Sequence, residues 1–179
     1  MITTKSLTLK PTILSDAADI QAYFNNWEII KWLRPPVPWP YPENGAEQHL
    51  KEVAKNPAWH SFSIRLHGSD KVIGSIRYER HEDKDTIYAE RGFVLDPQYW
   101  GKGLATEAAD ALNNYVFSTT DITEIRANNA IGNIPSSKIK QKQGFILQDI
   151  VDIDPPYHSG TSKEEEWVLP KTVWVTKSR

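Results

Sequence analysis

Gly101 and Gly103 stand where an alternating segment gives way to a helical pattern, in the string Leu95-Asp-Pro-Gln-Tyr-Trp-Gly-Lys-Gly-Leu-Ala-Thr-Glu-Ala-Ala109. Ile87, Ala89, Arg91, Phe93 and Leu95 alternate as a strand does, while Leu104, Ala108, Leu112, Tyr115 and Val116 recur at helical spacing. A glycine-bearing turn at such a junction gathers unpaired backbone N–H groups and the positive end of the helix dipole, a combination that suits a phosphate or pyrophosphate. Glycine also lets backbone approach where a Cβ would stand off. The same Gly-x-Gly pair serves equally as plain turn chemistry, and spacing alone leaves both readings open.

Two better-known phosphate patterns do not fit. The chain has no Gly-x-x-x-x-Gly-Lys-Ser/Thr run, and the third glycine of a dinucleotide fingerprint is replaced by Thr106. A nucleotide-binding domain is thereby disfavoured. The five histidines (His49, His60, His67, His81, His158) lack metal-ligand spacing, so no metal is expected. The absence of cysteine excludes disulfides, thiolate metal sites and a cysteine nucleophile.

Gln98-x-x-Gly101-x-Gly103 followed by Leu104-Ala105 resembles the acetyl-CoA pyrophosphate loop of the GNAT superfamily, and Asp-Pro-x-Tyr-Trp-Gly-Lys-Gly-x-Ala-Thr-Glu-Ala is similar to its RimJ/RimL-like branch, the ribosomal-protein N-terminal acetyltransferases. Asn133-Ile-Pro-Ser-Ser-Lys-Ile-Lys-Gln-Lys-Gln-Gly-Phe145 looks like that branch's Asn-x-x-Ser…Lys-x-Gly-Phe helix and turn. The resemblance follows the whole chain in order and is sharp from about Tyr88 to Phe145.

The resemblance implies an acetyl-CoA-dependent N-acetyltransferase. It would move an acetyl group directly to a primary amine, a peptide N-terminus or a small-molecule amine, with no covalent enzyme intermediate. Acetyl-CoA, as co-substrate, would enter a wedge between two splayed strands and pair with free backbone of Phe93, Val94 and Leu95. Gln98 and the N–H groups of Trp100, Gly101, Lys102, Gly103, Leu104 and Ala105 would hold the pyrophosphate, with the Lys102 charge nearby unless that side chain is only solvated. Asn133 would reach the CoA arm, a role compatible with capping its helix.

Glu90 matches a position where the family often carries a glutamate and would act as general base; the alternative is a strand glutamate paired with Arg77 or Arg91. Many relatives place a proton-donating tyrosine on the helix after the Asn position, where this chain has Ile139 and Lys140. Ser136 matches the serine that the ribosomal branch offers near the thioester sulfur, though it equally suits a helix first turn. Trp39, Tyr41 and Tyr157 would border the acceptor pocket, or Trp39 and Tyr41 would close the core beneath a long loop. The branch's glycine-aromatic-x-aspartate ending is missing, replaced by His158-Ser-Gly and the acidic run Glu164-Glu165-Glu166. The alternative to an enzyme is a non-catalytic acyl-CoA-binding or sensing module on the same fold.

These residues need a frame. With 179 residues the chain is expected to form one GNAT-type domain over 1–179, burying roughly two-thirds of its unfolded surface. The 21 basic and 23 acidic residues are interspersed, with a net charge of -2, which speaks against a nucleic-acid surface. The N-terminus lacks the apolar core of a signal peptide and no run approaches membrane-spanning length, so a cytoplasmic protein, monomeric or homodimeric, is expected.

Strands are expected at Ser6–Lys10, Trp59–His67, Lys71–Arg80, Thr86–Leu95, Thr123–Ala127, Phe145–Ile153 and Glu165–Val175, the last interrupted by Pro170. Helices are expected from a cap at Ser15 or Asp16 to Asn26, then at Asn26–Leu33, Glu43–Lys55 and Ile134–Gln143, besides the one after Gly103. Five prolines in the nine residues Arg34–Pro42 make a stiff loop. The order of elements gives an α/β or α+β class, and the resemblance sharpens this to a central mixed, mostly antiparallel twisted sheet flanked by helices.

Overall fold

A computed structural model describes residues 1–84 and 86–177. Eight strands form one sheet: β1 (Ile2–Thr3), β2 (Leu7–Pro11), β3 (Trp59–Leu66), β4 (Gly74–Asp83), β5 (Thr86–Leu95), β6 (Glu124–Ala130), β7 (Ile146–Asp152) and β8 (Lys163–Pro170), in the spatial order β1-β2-β3-β4-β5-β6-β8-β7. Every neighbouring pair is antiparallel except β5 and β6, which are parallel. The mixed, mostly antiparallel sheet expected from the resemblance is the one observed.

Strand alternation sorts side chains onto two faces. On one face Ile64, Ile76, Ala89, Leu95, Ile125 and Leu169 pack against α4 (Leu104–Thr119), whose Leu104, Ala108, Leu112 and Val116 form its buried stripe. Helix α5 (Ile134–Gln143) lies on the same face, with Ile139 against that core. The other face carries α1 (Ala17–Phe24), α2 (Trp27–Ile30) and α3 (Gly45–Val53), where Ile20, Tyr23, Ile29, Ala46 and Leu50 meet Val72 and Val94. No helix among the described residues is long and apolar enough to cross a membrane.

Three expectations change. Asp16 does not cap α1 with its side chain; its buried carboxylate turns inward, accepting from Ser63 Oγ at 2.6 Å and pairing with the Arg65 guanidinium at 2.5 Å. The last strand ends at Pro170, and Lys171–Lys177 continues as helix α6. There Trp174 seals the core and donates its indole N–H to Asn114 Oδ1 at 2.8 Å, tertiary contacts that override the β-branched local composition. A short strand, β1, precedes the first expected one; Glu107 of α4 accepts from Thr4 Oγ1 and the Ser6 N–H just beyond it, both at 2.6 Å.

Candidate active site

β5 and β6 share only three rungs, Tyr88 with Glu124, Ala89 with Ile125 and Glu90 with Arg126. β5 continues to Leu95 on β4, and β6 continues to Ala130 on β8, so the facing edges of residues 91–95 and 127–130 carry no ladder between them. This is a wedge in the sheet. The Thr123 N–H donates to the Ile87 carbonyl at 2.8 Å, while the Asp96 N–H donates to Ile73 on the opposite side at 2.9 Å. By period-two alternation the backbone groups of Arg91, Phe93 and Leu95 point into the wedge. Those of Val94 point to β4, and its side chain packs beneath α1 and α3. Val94 therefore drops out of the expected backbone contacts, leaving Phe93 and Leu95.

The wedge leads to the turn before α4. Asp96 accepts from the Gln98 N–H at 3.0 Å and shapes a single helical turn over Pro97–Tyr99. Trp100 spends its backbone N–H on the Pro97 carbonyl at 3.2 Å and its indole N–H on the Leu95 carbonyl at 2.7 Å, fastening the turn to the strand end. Its main-chain N–H is thus not available as expected, nor is the Leu95 carbonyl. The N–H groups of the next six residues, Gly101 to Thr106, have no partner among the described residues.

Gly101 has φ +73° and Gly103, the N-cap of α4, has φ +78°. An added Cβ would meet nothing within 4 Å at either position, so glycine is needed here for backbone hand and for room toward a ligand, not for internal packing. Gln98 is exposed beside this row, and the Lys102 ammonium lies 5.2 Å from the Tyr99 ring. Leu104 is buried under the helix start and Ala105 half-buried.

Asn133 caps α5, its Oδ1 accepting from the Ser136 N–H at 3.4 Å. Ser136 is half-buried in the first turn of the helix. Behind it, Lys140 Nζ donates to Ser136 Oγ at 2.9 Å and to Asn129 Oδ1 on the unpaired part of β6. Burial, with the nearby Arg91 charge, pulls Lys140 down to about 7, against an opposing pull from Glu165 and Glu164. Glu165 accepts from Ser137 Oγ at 2.6 Å, Trp167 Nε1 at 2.9 Å and Asn129 Nδ2 at 3.1 Å. Arg91, the first residue of β5 past the shared rungs, is buried over the Phe145 ring and donates to Asn113 and Gln143. Its Nε and Nη2 have no partner among the described residues.

Glu90 faces the other way, its side chain 58% exposed. Neither expected partner holds it: Arg91 points to the opposite face, and Arg77 pairs with Glu79 at 3.7 Å. His81 Nε2 lies 3.9 Å from its carboxylate. On this second face Glu164 is buried, accepting from Asn128 Nδ2 at 2.9 Å and from the Tyr157 hydroxyl, with Arg34 at 3.8 Å. Burial and the Glu164 contact push the Tyr157 phenol well above its usual range. Tyr157 is thus buried structure at the base of the late loop.

The late loop and the proline-rich loop are joined. His158 Nε2 lies 2.6 Å from the Val37 carbonyl, the His158 N–H donates to Leu33 and the Ser159 N–H to Lys31. Trp39 is 42% exposed and tilts against Trp27, while Tyr41 packs on Phe24 with ring centroids 5.0 Å apart. Of the two, Trp39 offers its ring to solvent and Tyr41 serves mainly to close the core.

Sequence reasoning missed Asn129, Arg91, Glu164 and Glu165 as parts of the site. Glu164 and Glu165 look like one acidic run, but strand alternation sends them to opposite faces. Lys140, with Ile139, was visible as standing where the resemblance implies a tyrosine; its burial was not. No group of histidine and carboxylate side chains among the described residues is arranged to hold a metal.

Residues 6–146 match the family described as an acetyltransferase (GNAT) domain. The chain is 29% identical over 149 residues to the uncharacterized N-acetyltransferase p20 of Bacillus licheniformis, covering 83% of each chain. It is 26% identical over 121 residues to the ribosomal-protein-serine acetyltransferase of Escherichia coli (strain K12), covering 65% of this chain and 67% of that one. Its fold is shared with the crystal structure of spermidine N-acetyltransferase from Vibrio cholerae in complex with CoA and spermine, with a TM-score of 0.80 at 17% identity over 94% of this chain and 98% of the other.

Proposed function

We infer that this chain, which belongs to the GNAT acetyltransferase family, moves an acetyl group from acetyl-CoA directly to a primary amine. The observation that carries the reading is the row of six unpartnered N–H groups from Gly101 to Thr106 at the head of a 16-residue helix, opening onto the unpaired edge of β5. That donor set fits a pyrophosphate. Gln98 and residues 101–105 would hold it, Phe93 and the Leu95 N–H would pair with the pantetheine arm, and Asn133 would contact the same arm. When bound, acetyl-CoA supplies the activated acyl group.

The chain's own residues do the rest. Glu90, on the face with α1 to α3, takes the proton from the incoming amine, directly or through water. Direct transfer needs no covalent nucleophile, which suits a chain without cysteine whose Ser136 Oγ accepts from Lys140 Nζ. Holding both reactants at the wedge removes about 7–11 kcal/mol of barrier in favourable cases. A peptide α-amine is the acceptor we favour, supported by the activity named for the E. coli relative.

The test is an acceptor screen with labelled acetyl-CoA against peptides of varied N-terminal residue, polyamines and aminoglycosides, following label transfer and thiol release together. Transfer to one amine class at stoichiometric thiol release is expected. Acetyl-CoA binding by calorimetry without turnover on any amine would instead make the chain an acyl-CoA-binding module.

A further inference from the structure

Lys140 is 2% exposed, and no carboxylate lies within ion-pair distance of it among the described residues. A buried ammonium held only by neutral oxygens is costly. Its two contacts define its setting. Asn129 Oδ1 fixes it to the part of β6 released from β5, and Ser136 Oγ, 2.9 Å away and one helical turn along α5, lies in the first turn that Asn133 caps. Ser136 is half-buried, so the partner of the fully buried ammonium is itself within reach of solvent or a ligand.

We propose that Lys140 and Ser136 form a two-membered proton relay to the sulfur that leaves the acetyl thioester, with Ser136 touching the sulfur and Lys140 as the positioning residue behind it. The relay rests on the acetyl transfer proposed above. The amine nitrogen forms a bond to the carbonyl carbon, the carbon–sulfur bond breaks, and its electron pair stays on sulfur. The Ser136 hydroxyl proton passes to that sulfur while an Nζ proton passes to Oγ, leaving coenzyme A as a free thiol and Lys140 neutral. The proton lost by the amine nitrogen passes to Glu90 and from there to solvent, and solvent returns one to Lys140.

The charges around Lys140 suit the task. Arg91 on β5 and burial both favour the neutral amine, while Glu165 and Glu164 on β8 favour the ammonium. Arg91 is itself lowered by burial only to about 10 and keeps its charge, supported by Asp110 on α4, so the pressure on Lys140 is permanent. The result, a donor near 7, sits close to neutrality, where general acid catalysis is most effective, whereas a serine hydroxyl alone is a very weak acid.

The experiment is the pH dependence of kcat for the unmodified chain, Ser136→Ala, Lys140→Met and the double variant, at saturating acetyl-CoA and the acceptor found in the screen, with acetyl-CoA Kd measured by calorimetry. In the unmodified chain kcat should fall as pH rises above about 7, because the relay needs Lys140 protonated. Each single variant should lose kcat about 10²-fold and that falling limb, the double should lose no more than the worse single, and Kd should stay within about twofold. A limb that persists in Ser136→Ala, losses that multiply in the double, or a loss confined to Kd would overturn the relay. Should Lys140→Met fail to fold, Ser136→Ala decides alone, since it removes one half-buried hydroxyl. An unmodified chain inactive on every amine overturns the acetyl-transfer reading itself, and an active one whose limb is unmoved by Ser136→Ala overturns only the relay.

Discussion

Glu90 and Arg126 occupy the last rung that β5 and β6 share. One residue further, Arg91 turns its guanidinium into the core on the α4 face, while Glu90 stays on the α1-to-α3 face. The strand thus changes role across one peptide bond, from ladder to free edge. That free edge runs into the unpartnered N–H row, and the segment of β6 opposite it carries Asn129, which accepts from Lys140.

Gly103→Val places a β-branched side chain at φ +78°. We expect a stability loss of about 1–2 kcal/mol from the left-handed backbone and at least a tenfold weaker acetyl-CoA Kd by calorimetry. Unchanged affinity in a folded variant would refute the cradle.

Trp100→Phe keeps an aromatic ring, though a smaller one, and deletes the indole donor that holds the Leu95 carbonyl. The expected cost is about 1 kcal/mol in urea unfolding, together with a several-fold weaker acetyl-CoA Kd, because the turn is no longer fastened to the strand. A drop in stability with unaltered Kd would separate the fastening from binding.

Glu90→Gln preserves shape on an exposed site and removes the proposed base. A fall in kcat of about 10²-fold is expected, with acetyl-CoA Kd and melting temperature essentially unchanged. Retention of kcat would assign Glu90 to the strand surface alone.

Lys140 also predicts a trend in stability. Its folded value of about 7 lies below the unfolded one of about 10.4, so between them the unfolded chain binds one more proton and stability rises with pH. Urea midpoints should therefore climb from pH 7 to pH 9 in the unmodified chain and climb less in Lys140→Met. Parallel slopes in the two proteins would show that the buried amine does not titrate as described.

Trp39→Ala removes an exposed ring from the loop tied to His158. The expected outcome is an altered ranking of amines by kcat/KM with acetyl-CoA Kd held constant. A uniform loss across amines and coenzyme would remove Trp39 from the acceptor rim.

What could be read in advance depended on whether the signal was local. The bounds of β5 and α5 agree with the residues because alternation, the Asn133 cap and Gly144 mark them within a few positions. Gly101 and Gly103 were legible for the same reason. The stretch after Pro170 was not, because Trp174 takes its conformation from Asn114, 60 residues away. Nor were the roles of Glu164 and Lys140, which depend on strand parity and on how a helix is laid across a gap. Val94 and the Trp100 N–H failed as expected ligands because backbone direction is set by the partner strand or turn, not by residue type.

The clasp between His158 and Val37 spans 121 residues of chain, whereas the strand end, glycine turn and helix head lie within a few positions of one another. Chain entropy treats the two halves differently. Along the growing chain, the strand end, glycine turn and helix head need only residues close to one another, with β4 and β6 to flank them. The contacts of Lys31, Leu33 and Val37 with the late loop cannot form until residues 158 and 159 have been added to the chain.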